Sequence, residues 1–141
     1  MKLWIMLAVL LSSSFAMAMS PEGLWATHDD VTGKKRAIIK VSLDHNKLEA
    51  TIIKIFKEPG DTGICSHCPG AFKDKPILGL KLAWGLVSTG KNKWGEGHIL
   101  DPQKGKIYRA KMQLVNENSL AVRGYYGVSL LGRTNVWYRE P

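Results

Sequence analysis

The stretch "RAIIKVSLDHNKLEATIIKIF", Arg36–Phe56, decides the fold class. Ala37, Ile39, Val41 and Leu43 fall on one side of an extended chain, while Arg36, Lys40 and Ser42 share the other side with Ile38. Successive side chains of a strand point to opposite faces, so this alternation reads as a half-buried strand. The tetrapeptide "DHNK" is rich in turn formers, and "LEATIIKIF" supplies the returning strand. Helical spacing of apolar residues is hard to find anywhere in the chain.

The same pattern extends in both directions. "EGLWATH" (Glu22–His28) precedes it and leads into the turn "DDVTGKK". From Lys57 to Lys75 the alternation stops in a long loop rich in Gly, Pro and Asp. Beyond the loop follow "ILGLKLAWGL", "WGEGHIL", "KIYRAKMQLV", "SLAVRGYYG" and "GRTNVWYRE", separated by the turns "STGKNK", "DPQKG" and "NENS". Short strands at a spacing of roughly 8–12 residues mark sandwiches and barrels. About eight strands in a meander with mostly short turns predict an all-β, antiparallel up-and-down barrel, which removes exposed edges. A sandwich is the competing architecture. An eight-stranded barrel is either filled by side chains or just roomy enough for one small ligand.

Residues 1–18, "MKLWIMLAVLLSSSFAMA", carry one early cation, an apolar core from Leu3 to Leu11 and a small-residue end. This layout predicts a secretory signal peptide cut after Ala18. Its apolar run is shorter than the roughly 20 residues that span a bilayer. Residues 19–141 are therefore expected to form one barrel domain in the periplasm or otherwise outside the cytoplasm. Losing Lys2 and no acid would take the formal charge from +8 to +7. Scattered cations on an exported chain argue against nucleic acid as a partner. They favour weak attraction to anionic lipid surfaces or cell-wall polymers.

Three constellations stand out. Trp25 lies on the first strand, and Arg133, Trp137 and Arg139 share one face of the last. First and last strands pair in a closed barrel, so an arginine can cover Trp25 by stacking and cation–π contact. These four are expected to close the barrel. Glu96 and His98, followed by Asp101, offer a carboxylate beside an imidazole, but no nucleophile accompanies them and no catalytic residue is assigned. "GICSHCPG" holds both cysteines, Cys65 and Cys68. Export favours a disulfide staple, without metal or cofactor. A zinc clip using His67 and a redox pair are the competing readings.

The order "GLWATHDDVTGKKRAIIKV", "CSHCPG", "KDKPILGL", "WGEGHILDPQKGKIYRAKMQL" and "LAVRGYYGVSLLGRTNVWYRE" strongly resembles the exported bacterial proteins catalogued as domain of unknown function 2147. The resemblance spans Gly23 to Arg139. It implies a lipocalin-like barrel, in which a Gly-x-Trp on the first strand and an Arg on the last close one end. It implies no catalytic residues and leaves function open. The leading expectation is a carrier or sensor of a small apolar ligand such as a fatty acyl chain. Its cavity residues are expected to be Ile52, Tyr108, Met112, Val122 and Tyr126, with Trp84 and Trp94 near a mouth. Met112 and the tyrosines read equally well as solid core. Arg109 and Arg123 are the cations considered for a carboxylate head, though each lies on the face opposite its strand's apolar set. The alternative is an envelope interaction module using Tyr125, Tyr126, Val128, Leu130 and Leu131. An enzyme built on the cysteines or on Glu96 and His98 is the weakest reading.

Overall fold

The computed structural model describes residues 19–128 and 132–141. The expected signal peptide (residues 1–18) and the apolar pair Leu130–Leu131 lie outside the described residues. Eight antiparallel strands close in chain order: β1 (Gly23–His28), β2 (Lys35–Asp44), β3 (Lys47–Ile55), β4 (Lys81–Gly90), β5 (Lys93–Asp101), β6 (Lys106–Asn116), β7 (Ser119–Tyr125) and β8 (Gly132–Arg139). The barrel, not the sandwich, is the architecture.

The turns make the two ends unequal. β2–β3 turns on His45 and Asn46 alone, both at positive φ (48° and 64°), between the pair Asp44 and Lys47. That conformation matches the twist of paired strands, and Asn tolerates it. β4–β5 and β6–β7 are equally tight, with Gly90 opposite Lys93 and Asn116 opposite Ser119. All three hairpins lie at the end where β1 begins and β8 finishes. The long connections 29–34 and 56–80, and the turn 102–105, gather at the other end.

Packing follows the same division. Near the hairpin end Leu48, Leu86, Met112, Leu114 and Leu120 are buried and fill the bore. Toward the loop end the inward positions are Ile39, Ile52, Leu82, Ile99, Tyr108 and Val122, and these surround space. The barrel is thus packed in one half and hollow in the other.

The closing seam is the thinnest part of the wall. β8 runs beside β7 over seven registered pairs but meets β1 at only two, Trp25 with Arg139 and Ala26 with Tyr138.

Candidate functional site

At the hairpin end, Trp25 is fully buried and Arg139 lies over its ring, 4.3 Å from the centroid. The guanidinium donates to the carbonyl oxygens of Glu117 (2.6 Å), Glu22 (2.9 Å) and Ser20 (2.7 Å). The Trp25 indole N–H donates to the Pro21 carbonyl at 2.9 Å. One side chain thereby ties the N-terminal segment, the β6–β7 turn and β8 across the bottom. Gly23 has φ of 132°, and a Cβ there would stand 2.8 Å from the guanidinium. Backbone conformation and space both require the glycine of "GLW".

Of the other two residues grouped with Trp25, Trp137 is buried and faces the bore. Arg133 is six residues from Arg139 and therefore at the opposite, open end, where it forms an ion pair with Asp30 of the β1–β2 loop. Sharing a face placed both arginines on one side of β8. It did not place them at one height, since six residues span about 20 Å of strand.

The open end holds a cavity of ≈ 810 Å³. This falls within the roughly 300–1,000 Å³ of small-molecule sites. Its wall is apolar: Ile39, Ile52, Leu82, Ile99, Tyr108, Val122 and the flank of Trp137. Burial first, and the hydrogen bond with Tyr126 second, push the Tyr108 hydroxyl above its usual value, so it stays a neutral phenol. Charged groups gather at the rim, in the loops (Asp29, Asp30, Lys57, Asp61, Lys104) and at the strand ends (Arg36, Asp101, Arg133).

Ile52, Tyr108 and Val122 line this space as the alternation predicts. The remaining expected cavity residues do not. Met112 is buried in the filled half, opposite Trp94, which is half-buried against the core at the hairpin end. Tyr126 is 48 % exposed and touches the cavity only through Tyr108, ring centroids 4.6 Å apart. Trp84 is on the outer wall. Ile99 and Tyr108 pair and point inward, so the neighbouring pairs His98–Arg109 and Trp84–His98 point outward. There Trp84 stacks between His98 and Phe72. Irregular pairing of β3 with β4 between Leu48 and Thr51 breaks the simple alternation that had turned Trp84 toward the mouth.

Cys65 and Cys68 form a close pair, Cα–Cα 5.4 Å, with the sulfurs placed as a disulfide. Both are buried, at 0 % and 3 % exposure. Their loop folds back on itself: Cys65 N–H donates to Lys75 O, Asp74 N–H to Cys65 O, and Ile77 N–H to Gly63 O. Among the described residues no three His, Cys, Asp or Glu side chains gather as a metal site. Glu96 sits in a bulge of β5 at φ 58° and shares no hydrogen bond or ion pair with His98 among the described residues.

Two features of the mouth escaped the sequence reading. The turn 102–105 receives the cysteine loop at Gly105, where the His67 carbonyl occupies the place a Cβ would take. Lys57, His67 and Lys104 line the rim together. The glycine of "DPQKG" was visible as a turn former, but nothing in the sequence indicates what packs on it.

A closed eight-stranded barrel, capped at one end by a Trp under an Arg and open at the other to a cavity, is a lipocalin-like fold. Residues 23–139 match the family described as an uncharacterized protein conserved in bacteria, DUF2147, and the chain belongs to that family. A solved structure of similar fold is protein HP1028 from Helicobacter pylori, described as belonging to the lipocalin family. It shares 17 % identity at a TM-score of 0.75, over 88 % of this chain and 85 % of that one. No curated protein matches the chain.

Proposed function

We propose that the protein is an exported, non-enzymatic barrel that holds one small apolar ligand, such as a fatty acyl chain, in its open half. The observation that carries this reading is the cavity of ≈ 810 Å³ at the loop end, apolar toward the bore and ringed by polar and charged residues at its rim. An apolar chain entering it loses water along the apolar wall, worth about 25 cal/mol per Å² of apolar surface buried. The filled half and the Trp25–Arg139 cap give the site a floor. In this reading the cysteine pair is an oxidised structural staple, which suits a periplasmic location.

Native mass spectrometry of the protein purified from periplasm, with no lipid added, tests the reading. Cleavage after Ala18, the loss of two hydrogens and an added mass released by denaturation are expected. A chain that carries no added mass and takes up no apolar probe would overturn it. Weight would then pass to a surface-interaction role, favoured by Tyr126 and Val128, which are 48 % and 58 % exposed beside the mouth.

A further inference from the structure

We infer that the cavity selects an anionic amphiphile, with its carboxylate or phosphate head held between Lys57 and Lys104. The inference rests on the ligand-binding reading above and adds the chemistry of the head group.

Charge at the rim is unevenly committed. Four carboxylates line it, and each is already engaged. Asp29 accepts the Val31 and Thr32 N–H groups at 2.9 and 2.8 Å. Asp61 accepts Arg36 and the Glu58 N–H, both at 2.8 Å. Asp101 accepts the Gln103 and Lys104 N–H groups at 3.0 and 3.2 Å, and Asp30 is paired with Arg133. The rim cations divide differently. Arg36 and Arg133 belong to those ion pairs, whereas neither the Lys57 nor the Lys104 ammonium makes a hydrogen bond or ion pair among the described residues. Lys57 acts on Asp61 only through space.

A cationic head would have to displace a guanidinium or break a loop turn to find a partner. An anionic head finds six uncommitted N–H donors on two ammonium groups, and charge-assisted hydrogen bonds are the strong kind.

Position supports the assignment. Lys57 lies along the cysteine loop, its Cε and Nζ each 3.0 Å from where a Cβ on Gly63 would stand. The His67 carbonyl of the same loop rests on Gly105, the residue after Lys104. Lys57 thus touches the cysteine loop and Lys104 adjoins the residue that loop rests on, and both line the cavity. The apolar wall begins directly below. The formal charge of the exported chain, +8 less Lys2 or +7, adds a field that favours approach of anions.

The test uses N-phenyl-1-naphthylamine, an uncharged apolar fluorophore, displaced by ligands that share one tail: dodecanoate, dodecyl phosphate, dodecanol and dodecyltrimethylammonium. Dodecanoate or dodecyl phosphate is expected to displace it at about tenfold lower concentration than dodecanol, as one or two charge-assisted bonds allow. Whichever of the two acts more strongly identifies a carboxylate or a phosphate head. The preference should shrink with added salt, because the lysines are solvent-exposed. In the double variant Lys57→Met, Lys104→Met it should vanish while dodecanol binds as before. If the fluorophore binds and all four tails compete equally, the head-group assignment is overturned and the cavity reading stands. If neither the fluorophore nor any tail binds, both fall.

Discussion

Arg139 concentrates more connections than any other side chain described at the hairpin end. Its three carbonyl acceptors belong to Ser20, Glu22 and Glu117, far apart in sequence, and its flat face covers Trp25. Only a planar fork with several fixed donors can serve these partners at once while stacking on an indole. Arg139→Gln is expected to lower stability by about 2 kcal/mol, since it removes charge-assisted bonds and leaves the indole face uncovered. Urea unfolding followed by tryptophan emission measures this. Arg139→Lys should recover only a minor part, because an ammonium keeps the charge but loses the fork. Full recovery by lysine would show that charge alone matters. This constellation was legible in the sequence, because Trp25 and Arg139 stand at the beginning and end of a meander that must close. Arg133 was misplaced in height because a shared face carries no information about distance along the strand.

At the scale of elements, the loops of the mouth are held by backbone and carboxylate contacts, and the cysteine loop also by the burial of Cys65, Cys68 and Leu80 in the core. The turn 102–105 and the cysteine loop touch at Gly105 and His67, with Gly105 at φ 64°. Gly105→Ala faces the left-handed penalty of about 1–2 kcal/mol and a collision with the His67 carbonyl. The cysteine loop is expected to undock locally, so its amides around Cys65–Cys68 should exchange faster while those of β6 keep their protection. Unchanged exchange in the loop would mean that the contact is dispensable.

Acid should loosen the same region. Asp29 and Asp61 are both held below the ordinary 3.8, Asp29 by the N–H groups of Thr32 and Val31, Asp61 by the Glu58 N–H and then by Arg36. A carboxylate with a lowered folded pKa stabilises the fold above its unfolded value and loses that contribution as pH falls through the folded value. Exchange in loops 29–34 and 56–61 should therefore rise below about pH 3.8, ahead of the strands. Loops and strands loosening together would exclude this cause. The loop was visible as a break in alternation, and the cysteines as two residues placed close enough to pair. What they press against depends on the folded loop path, which local pattern does not encode.

The whole molecule was largely predictable as an object and much less so as a container. Alternation over Arg36–Phe56 and its repeats fixes strands, and short turns order them, so eight strands in a closed meander follow from elementary rules. Whether Met112 or Tyr108 faces open space is a question of height in the barrel. Whether Trp84 faces in or out depends on irregular pairing that shifts the face of one strand. Neither is written in the period of two. The closed wall nevertheless has a consequence that only the assembled barrel shows. β8 is registered with β7 along seven pairs but with β1 at two, so among the described residues Gly132–Val136 has no ladder partner on its β1 side, and Gly132, Arg133 and Asn135 border the cavity. Unpaired edge amides exchange with solvent at low energetic cost. In hydrogen-exchange mass spectrometry the β8 segment should lose protection well before β6, which is paired on both sides. A tail seated in the cavity would press against Trp137 and slow that exchange in particular. If β8 exchanged as slowly as β6 in the free protein, the seam would be no weaker than the rest of the wall, and ligands would have only the open mouth as a way in.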